Sequence, residues 1–188
     1  MSFFPAYLSL TNKKILLVGG GYIALEKLEK LVDFTHNITV ISKEFSEDFV
    51  AFANDHTIEM QVRLYEKGDI EGFDIVIVAT DTIPLHKAIF EESRSSRILV
   101  NSVDDTAYCD FIFPSYIKNG DLTISVSTSG ASPALAKRLK RYLQQVIPSN
   151  IGDFLVEMKA LRKTMPKGKE RMAFFEAKTD KFMAKYFK

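Results

Sequence analysis

Gly19, Gly20, Gly21 and Ala24 form a G-x-G-x-x-A pattern directly after the apolar run Lys14–Val18 (KILLV). Glycine at 19 permits a tight turn, and glycine at 21 lets the backbone come close to a diphosphate. Alanine at 24 allows a helix to pack closely on a strand. The segment that follows, Ala24–Phe34, is amphipathic, with Leu25, Leu28, Leu31 and Val32 on one face. A helix that starts there aims free N–H groups and the positive end of its dipole at phosphates. The chemistry such an elbow serves is dinucleotide binding, and with it hydride transfer through a nicotinamide. The alternative is three glycines that serve only a turn. Strand, helix and next strand all fall where the motif needs them, which favours the first reading.

Other candidate groups lie at the ends of later apolar runs. Ile38–Ile41 (ITVI) is followed by Ser42 and Lys43 instead of an immediate acid. Glu44 is the nearest carboxylate that could hold a ribose, whereas Lys43 suits a 2′-phosphate, so the residues leave NAD and NADP both open. Ala79-Thr80-Asp81 ends the run Asp74–Ala79. Thr80 is expected to touch the cofactor, and Asp81 either to cap the next helix or to take part in the site. His36, His56 and His86 have no ligand spacing and are expected at the surface or as caps. The single cysteine, Cys109, is expected to be a small packed residue. No dedicated protein metal site is expected.

The elements that must position these groups read as an α/β fold. Short apolar runs (14–18, 38–41, 58–64, 74–79 and 98–100) alternate with helical stretches (24–34, 45–54 and 83–93) through short links. This alternation predicts a Rossmann-type, mostly parallel sheet covered on both faces. After Phe113 the pattern changes. Leu122–Ser127 alternates as a half-exposed strand. Ser132-Pro133 opens a helix to about Val146, and Pro148 breaks it. From about Ile151 the chain is charged and helical, interrupted at Pro166–Gly168.

Composition narrows the function classes. The 188 residues carry 25 basic and 24 acidic side chains, a formal charge of +1, so no global field argues for a nucleic-acid or membrane partner. The start, MSFFPAYLSL, lacks a basic and then long apolar pattern, and the apolar runs are strand-sized. A soluble, cytoplasmic protein is therefore expected.

Four blocks together resemble the precorrin-2 dehydrogenase family, which includes the N-terminal part of siroheme synthase. They are Val18–Lys27 (VGGGYIALEK), Val78–Asp81 (VATD), Val100–Asp105 (VNSVDD) followed by Phe111–Ser115, and Ser125–Lys140 (SVSTSGASPALAKRLK). The first is common to many Rossmann proteins, while the ordered set is specific. The likeness runs from about residue 3 to 145, and more faintly beyond.

The resemblance implies oxidation of precorrin-2 to sirohydrochlorin with NAD as hydride acceptor. In some members ferrous iron is also inserted, giving siroheme. It implies a homodimer with three parts: a nucleotide domain (residues 1–113), a dimerisation segment (114–148) and a helical tail (149–188). No methyltransferase half is expected after residue 188. A functionally central carboxylate of the family falls on Asp104, and cofactor contacts fall on Tyr22, Ile23, Lys43 and Glu44. Where many members carry serine in the STSG stretch, this chain has Thr128.

Two roles stay open for Asp104: a general base for the proton that leaves with the hydride, or a group that orients the macrocycle through its pyrrole N–H groups. Asp105 is adjacent and could share either role, and both aspartates also suit a turn. A carboxylate-rich macrocycle calls for hydroxyls, helix N–H groups and basic side chains. Ser127, Thr128, Ser129 and Gly130 lead into the helix at Pro133, and Lys137, Arg138, Lys140 and Arg141 follow on it. A solvated basic face is the alternative for those cations. Whether iron is inserted stays open, because the macrocycle supplies its own four nitrogens. Two further readings remain: a non-catalytic tetrapyrrole or nucleotide sensor, and a Rossmann regulatory module.

Overall fold

The computed structural model describes residues 3–103 and 105–187. The chain divides into two units, residues 1–112 and 113–188.

In the first unit five strands run parallel: β1 (Ile15–Val18), β2 (Ile38–Ser42), β3 (Glu59–Val62), β4 (Ile75–Val78) and β5 (Leu99–Ser102). Their order is β3-β2-β1-β4-β5. The helices are α1 (Tyr22–Val32), α2 (Glu47–Asp55) and α3 (Ile83–Ser93). β1 and β4 are buried along their whole length, as their unbroken aliphatic sequences ILLV and IVIV require. Leu16, Val18, Val76, Val78 and Val100 join Ile41, Ile70 and Ile89 in one apolar cluster. Each such side chain taken out of water contributes about 1.5–3 kcal/mol. β3 closes one side of the sheet, with Glu59 and Val62 exposed and Met60 and Gln61 half-buried between them.

Register matters most for function. Val18 pairs with Ile41 on one side and Val78 on the other. Ser42 pairs with Val62, and Val78 with Ser102. The carboxyl ends of all five strands therefore share one edge. From β1 the order passes to β2 on one side and to β4 on the other, so this edge holds a topological switch point, where open α/β sheets bind ligands.

In the second unit β6 (Ser115–Asn119) pairs antiparallel with β7 (Leu122–Val126). Helices α4 (Pro133–Val146), α5 (Ile151–Thr164) and α6 (Lys169–Tyr186) follow. α4 packs on both strands, and α5 packs on β7. Phe154 of α5 stacks on Phe182 of α6 at 4.2 Å between ring centroids. Lys178 and Glu157 tie the same two helices together at 2.7 Å.

The structure departs from the sequence reading at particular elements. β6 was not foreseen, because Ser-Tyr-Ile-Lys-Asn behind Pro114 has no apolar run. Its signal is Gly120-Asp121, a two-residue hairpin loop with glycine first. The two-residue loop places Gly120 at φ 58°, where a residue without a Cβ fits. α1 begins at Tyr22 instead of Ala24, because Gly21 serves as its N-cap in extended conformation. Asp81 does not cap α3. The N-cap is Thr82, and it makes no side-chain capping bond.

Candidate functional site

The elbow after β1 is tightly specified. The Gly19 amide donates to the Ile41 carbonyl at 2.9 Å, and its φ is 129°. A Cβ there would stand 2.2 Å from the Ala79 carbonyl oxygen, so only glycine lets β1 turn this close to the end of β4. At Gly20 a Cβ would meet the Glu44 carbonyl at 2.4 Å, the Phe45 ring at 2.6 Å and the Ser42 hydroxyl at 2.9 Å. The Gly20 carbonyl also accepts from the Ser46 amide at 3.0 Å. The middle glycine, the unspecified position of the motif, is thus required by the loop after β2. Around Gly21 nothing lies within 4 Å of the place a Cβ would take. Ala24 is fully buried, as close helix–strand packing demands.

Beyond Gly21 come the first-turn amides of α1, at Tyr22, Ile23 and Ala24, which have no carbonyl of their own helix to bond. Tyr22 and Ile23 expose their side chains at this mouth. The space beside Gly21, the orphan amides and the helix dipole together fit the diphosphate of a dinucleotide.

Next to the elbow, the Ser42 hydroxyl donates to the Glu44 carbonyl at 2.6 Å and folds the loop after β2. Lys43 and Glu44 are exposed and form an ion pair at 3.3 Å. Such a surface pair is weak, so both side chains remain available to a ligand. On the other side of β1, Thr80 is half-buried and its hydroxyl lies 3.2 Å from Nε2 of His86. The predicted cofactor group, Gly19–Ala24, Ser42–Glu44 and Thr80, is therefore gathered on one edge of one sheet.

Asp104 lies outside the described residues. Asp105, half-buried, accepts at Oδ1 from the Ala107 amide at 2.9 Å and caps a short 3-10 turn, Thr106–Tyr108. That is the turn role its residue type allows. Cys109 is buried against the end of β5. Its Sγ donates to the Ser102 carbonyl at 3.1 Å and accepts from the Ser102 amide at 3.2 Å. Burial pushes its thiol upward from the ordinary value, which keeps it protonated and packed.

The remaining candidates sit in the second unit. The Ser127 hydroxyl accepts from the Ser129 amide at 3.1 Å, and the Thr128 hydroxyl from the Ser132 amide at 3.0 Å. Ser129 and Gly130 adopt positive φ of 50° and 85°. Ser132 caps α4 through the Leu135 amide at 3.2 Å. The hydroxyls of Ser127 and Thr128 use lone pairs to shape this turn, and each keeps a hydrogen to donate. Lys137, Arg138 and Arg141 are exposed on α4, with no ion pair among the described residues. Lys140 leans over the Tyr116 ring at 5.7 Å.

His86 corrects the sequence reading. It is neither a surface nor a capping residue but lies fully buried, with partners for both ring nitrogens. The sequence gives no sign of this, since its partners are brought to it by β4 and β5. His56, by contrast, stands at the C-cap of α2. Among the described residues, no three His, Cys, Asp or Glu side chains gather as a metal site. Among the described residues, no helix is long and apolar enough to cross a membrane.

Comparisons with known proteins match this geometry. The NAD(P)-binding family model covers residues 6–115, and the model for the sirohaem biosynthesis protein central region covers 119–145. The chain is 34% identical to a siroheme synthase of Pseudoalteromonas translucida over 152 residues, which are 81% of this chain and 32% of that protein. It is 35% identical to a siroheme synthase of Methylococcus capsulatus over 181 residues, 94% of this chain and 38% of that protein. It thus spans about a third of the length of these curated relatives. Among solved structures, SirC, a precorrin-2 dehydrogenase, shares the fold at a TM-score of 0.76, with 24% identity, over 90% of this chain and 85% of that one. The resemblance read from the four sequence blocks holds: the chain belongs to the NAD(P)-binding family, with a sirohaem-biosynthesis central segment directly behind its nucleotide domain.

Proposed function

We propose that this chain is an NAD-dependent precorrin-2 dehydrogenase of siroheme biosynthesis, acting as a cytoplasmic homodimer. The observation that carries the reading is the single edge on which the glycine elbow, the Ser42–Glu44 loop, Thr80 and the end of β5 all meet, in a chain whose relatives are siroheme synthases.

In the overall reaction precorrin-2 loses a hydride and a proton. The net change converts precorrin-2 and NAD to sirohydrochlorin, NADH and a proton. When bound, NAD supplies the hydride acceptor. The chain's own residues supply the rest. Gly21 and the amides of Tyr22, Ile23 and Ala24 hold the diphosphate. Glu44 takes the ribose hydroxyls, which favours NAD over its 2′-phosphorylated form, and Lys43 neutralises charge beside it. Thr80 borders the cofactor on the β4 side. Asp104 accepts the departing proton or orients the macrocycle, with Asp105 holding the turn beside it. Ser127, Thr128, Ser129 and Gly130, with Lys137, Arg138 and Arg141, receive the carboxylate arms of the substrate. Ferrous iron is a second substrate if the product is carried on to siroheme, and the macrocycle nitrogens then hold the metal.

Dimerisation is supported by α4. Leu135, Leu139, Tyr142 and Val146 are all exposed and recur at spacings of four, three and four, which makes one apolar stripe. A second copy of residues 114–148 would cover it, leaving 149–188 as a helical tail.

Asp104→Asn tests the chemistry. The variant should lose at least about a hundredfold in turnover of precorrin-2 and keep its NADH affinity. Unchanged turnover removes Asp104 from this role.

A further inference from the structure

His86 has no part in the reaction as drawn above, yet it lies in the first turn of α3 with 0% exposure. Its ring meets the ends of two neighbouring strands. Nε2 is 2.8 Å from the Thr80 carbonyl oxygen and 3.2 Å from the Thr80 hydroxyl. Nδ1 is 2.6 Å from the Ser102 hydroxyl. A carbonyl only accepts, so Nε2 donates its hydrogen to Thr80, while Nδ1 shares a hydrogen bond with the Ser102 hydroxyl. Both nitrogens are therefore used, which offsets the cost of burying them.

The two partners belong to different parts of the site. Thr80 follows β4 at the switch point, beside the glycine elbow that Ala79 touches. Ser102 is the last residue of β5, and Val103, Asp104 and Asp105 follow it in the chain. Its backbone is already gripped by Cys109, so the bond from His86 adds a side-chain tie to an anchored residue.

We propose that His86 is a positioning residue that sets two parts of the site at once. Through Nε2 it holds Thr80 for the cofactor, and through Nδ1 it holds the end of β5 from which the acidic segment departs. The second half rests on the dehydrogenase reading given above. Only a planar group with a nitrogen at each position makes both ties; asparagine offers its amide near the Nδ1 position, and glutamine near the Nε2 position.

His86→Gln and His86→Asn separate the ties. The measurements are NADH Kd by fluorescence titration, kcat and KM with precorrin-2, and thermal unfolding. His86→Gln should keep the NADH Kd within about twofold and lower kcat about tenfold, because a small misplacement of reacting groups is costly. His86→Asn should show the opposite bias, with the Kd raised about tenfold and a smaller loss in kcat. Ser102→Ala removes only the Nδ1 partner at little steric cost. It should reproduce the His86→Gln pattern, and it decides the matter if the His86 variants do not fold. Losses in Kd and kcat that run in parallel with Tm, or values unchanged throughout, overturn the proposal. If the native protein binds NADH but leaves precorrin-2 untouched, the dehydrogenase reading falls. The difference in NADH Kd between the two His86 variants then still supports or overturns the positioning role.

Discussion

Gly20 and Gly21 are neighbours with opposite sensitivities. A methyl at 20 would press into the Glu44 carbonyl and the Phe45 ring, backbone and aromatic atoms that have little room to yield. Gly20→Ala should therefore destabilise the fold by about 1–3 kcal/mol, the usual cost of overpacking, read by denaturant unfolding. A methyl at 21 meets nothing, and the φ there is −92°, open to any residue. Gly21→Ala should unfold within about 1 kcal/mol of the native protein, yet weaken NADH binding at least about tenfold by filling the approach of the diphosphate. Equal NADH affinity in Gly21→Ala would mean that the diphosphate does not pass there. At this scale the sequence was informative where chemistry is local. The spacing of Gly19, Gly21 and Ala24 was readable because each serves the turn in which it sits. Gly20 and His86 were not, since their constraints come from Glu44 and Phe45 in one case and Ser102 in the other, residues that only the folded sheet brings near.

Between elements, Arg94 and Asp110 tie the end of α3 to the chain beside β5. Arg94, at the C-cap of α3, makes two bonds to the Asp110 carboxylate, at 2.6 and 2.8 Å. The same carboxylate accepts from the Val100 amide of β5 at 2.8 Å. Burial acts to raise the Asp110 carboxyl, and the Arg94 and Val100 bonds outweigh it, so it sits below the ordinary value. A carboxyl lowered on folding contributes stability that is present above its unfolded value, about 4, and is lost as pH falls through the folded one. Asp110→Asn should therefore cost about 1–3 kcal/mol at neutral pH. Its unfolding free energy should also fall less steeply than that of the native protein below about pH 4. Parallel acid profiles for the two proteins would contradict this. Most elements were legible from periodicity. β1 and β4 show as unbroken aliphatic runs because both faces are covered, and α3 spans Ile83–Ser93 as read. β6 was hidden because a hairpin strand with a partly exposed face needs no apolar run, and its evidence lies in the Gly120-Asp121 turn.

For the whole molecule, the apolar stripe on α4 is a feature that a single chain leaves exposed. Leu139→Lys places a charge in that stripe, at a position 40% exposed in the single chain. It should shift the protein from dimer to monomer in light scattering at micromolar concentration, with α4 still helical by circular dichroism. A monomeric native protein, or a variant that stays dimeric, would place the interface elsewhere. The α/β class of the first unit was readable from alternation alone, and the strand order β3-β2-β1-β4-β5 gives it the switch point that the motif requires. How the second unit builds its core was less readable, because it depends on pairs such as Phe154 with Phe182 that lie far apart in the chain.

The most direct measurement is a stoichiometry. Purified protein is mixed with precorrin-2 and NAD without iron, and the spectra of sirohydrochlorin and NADH are followed together. The account predicts that the two products appear one for one. A folded protein that binds NADH yet leaves precorrin-2 unchanged, or sirohydrochlorin formed without NADH, would contradict it.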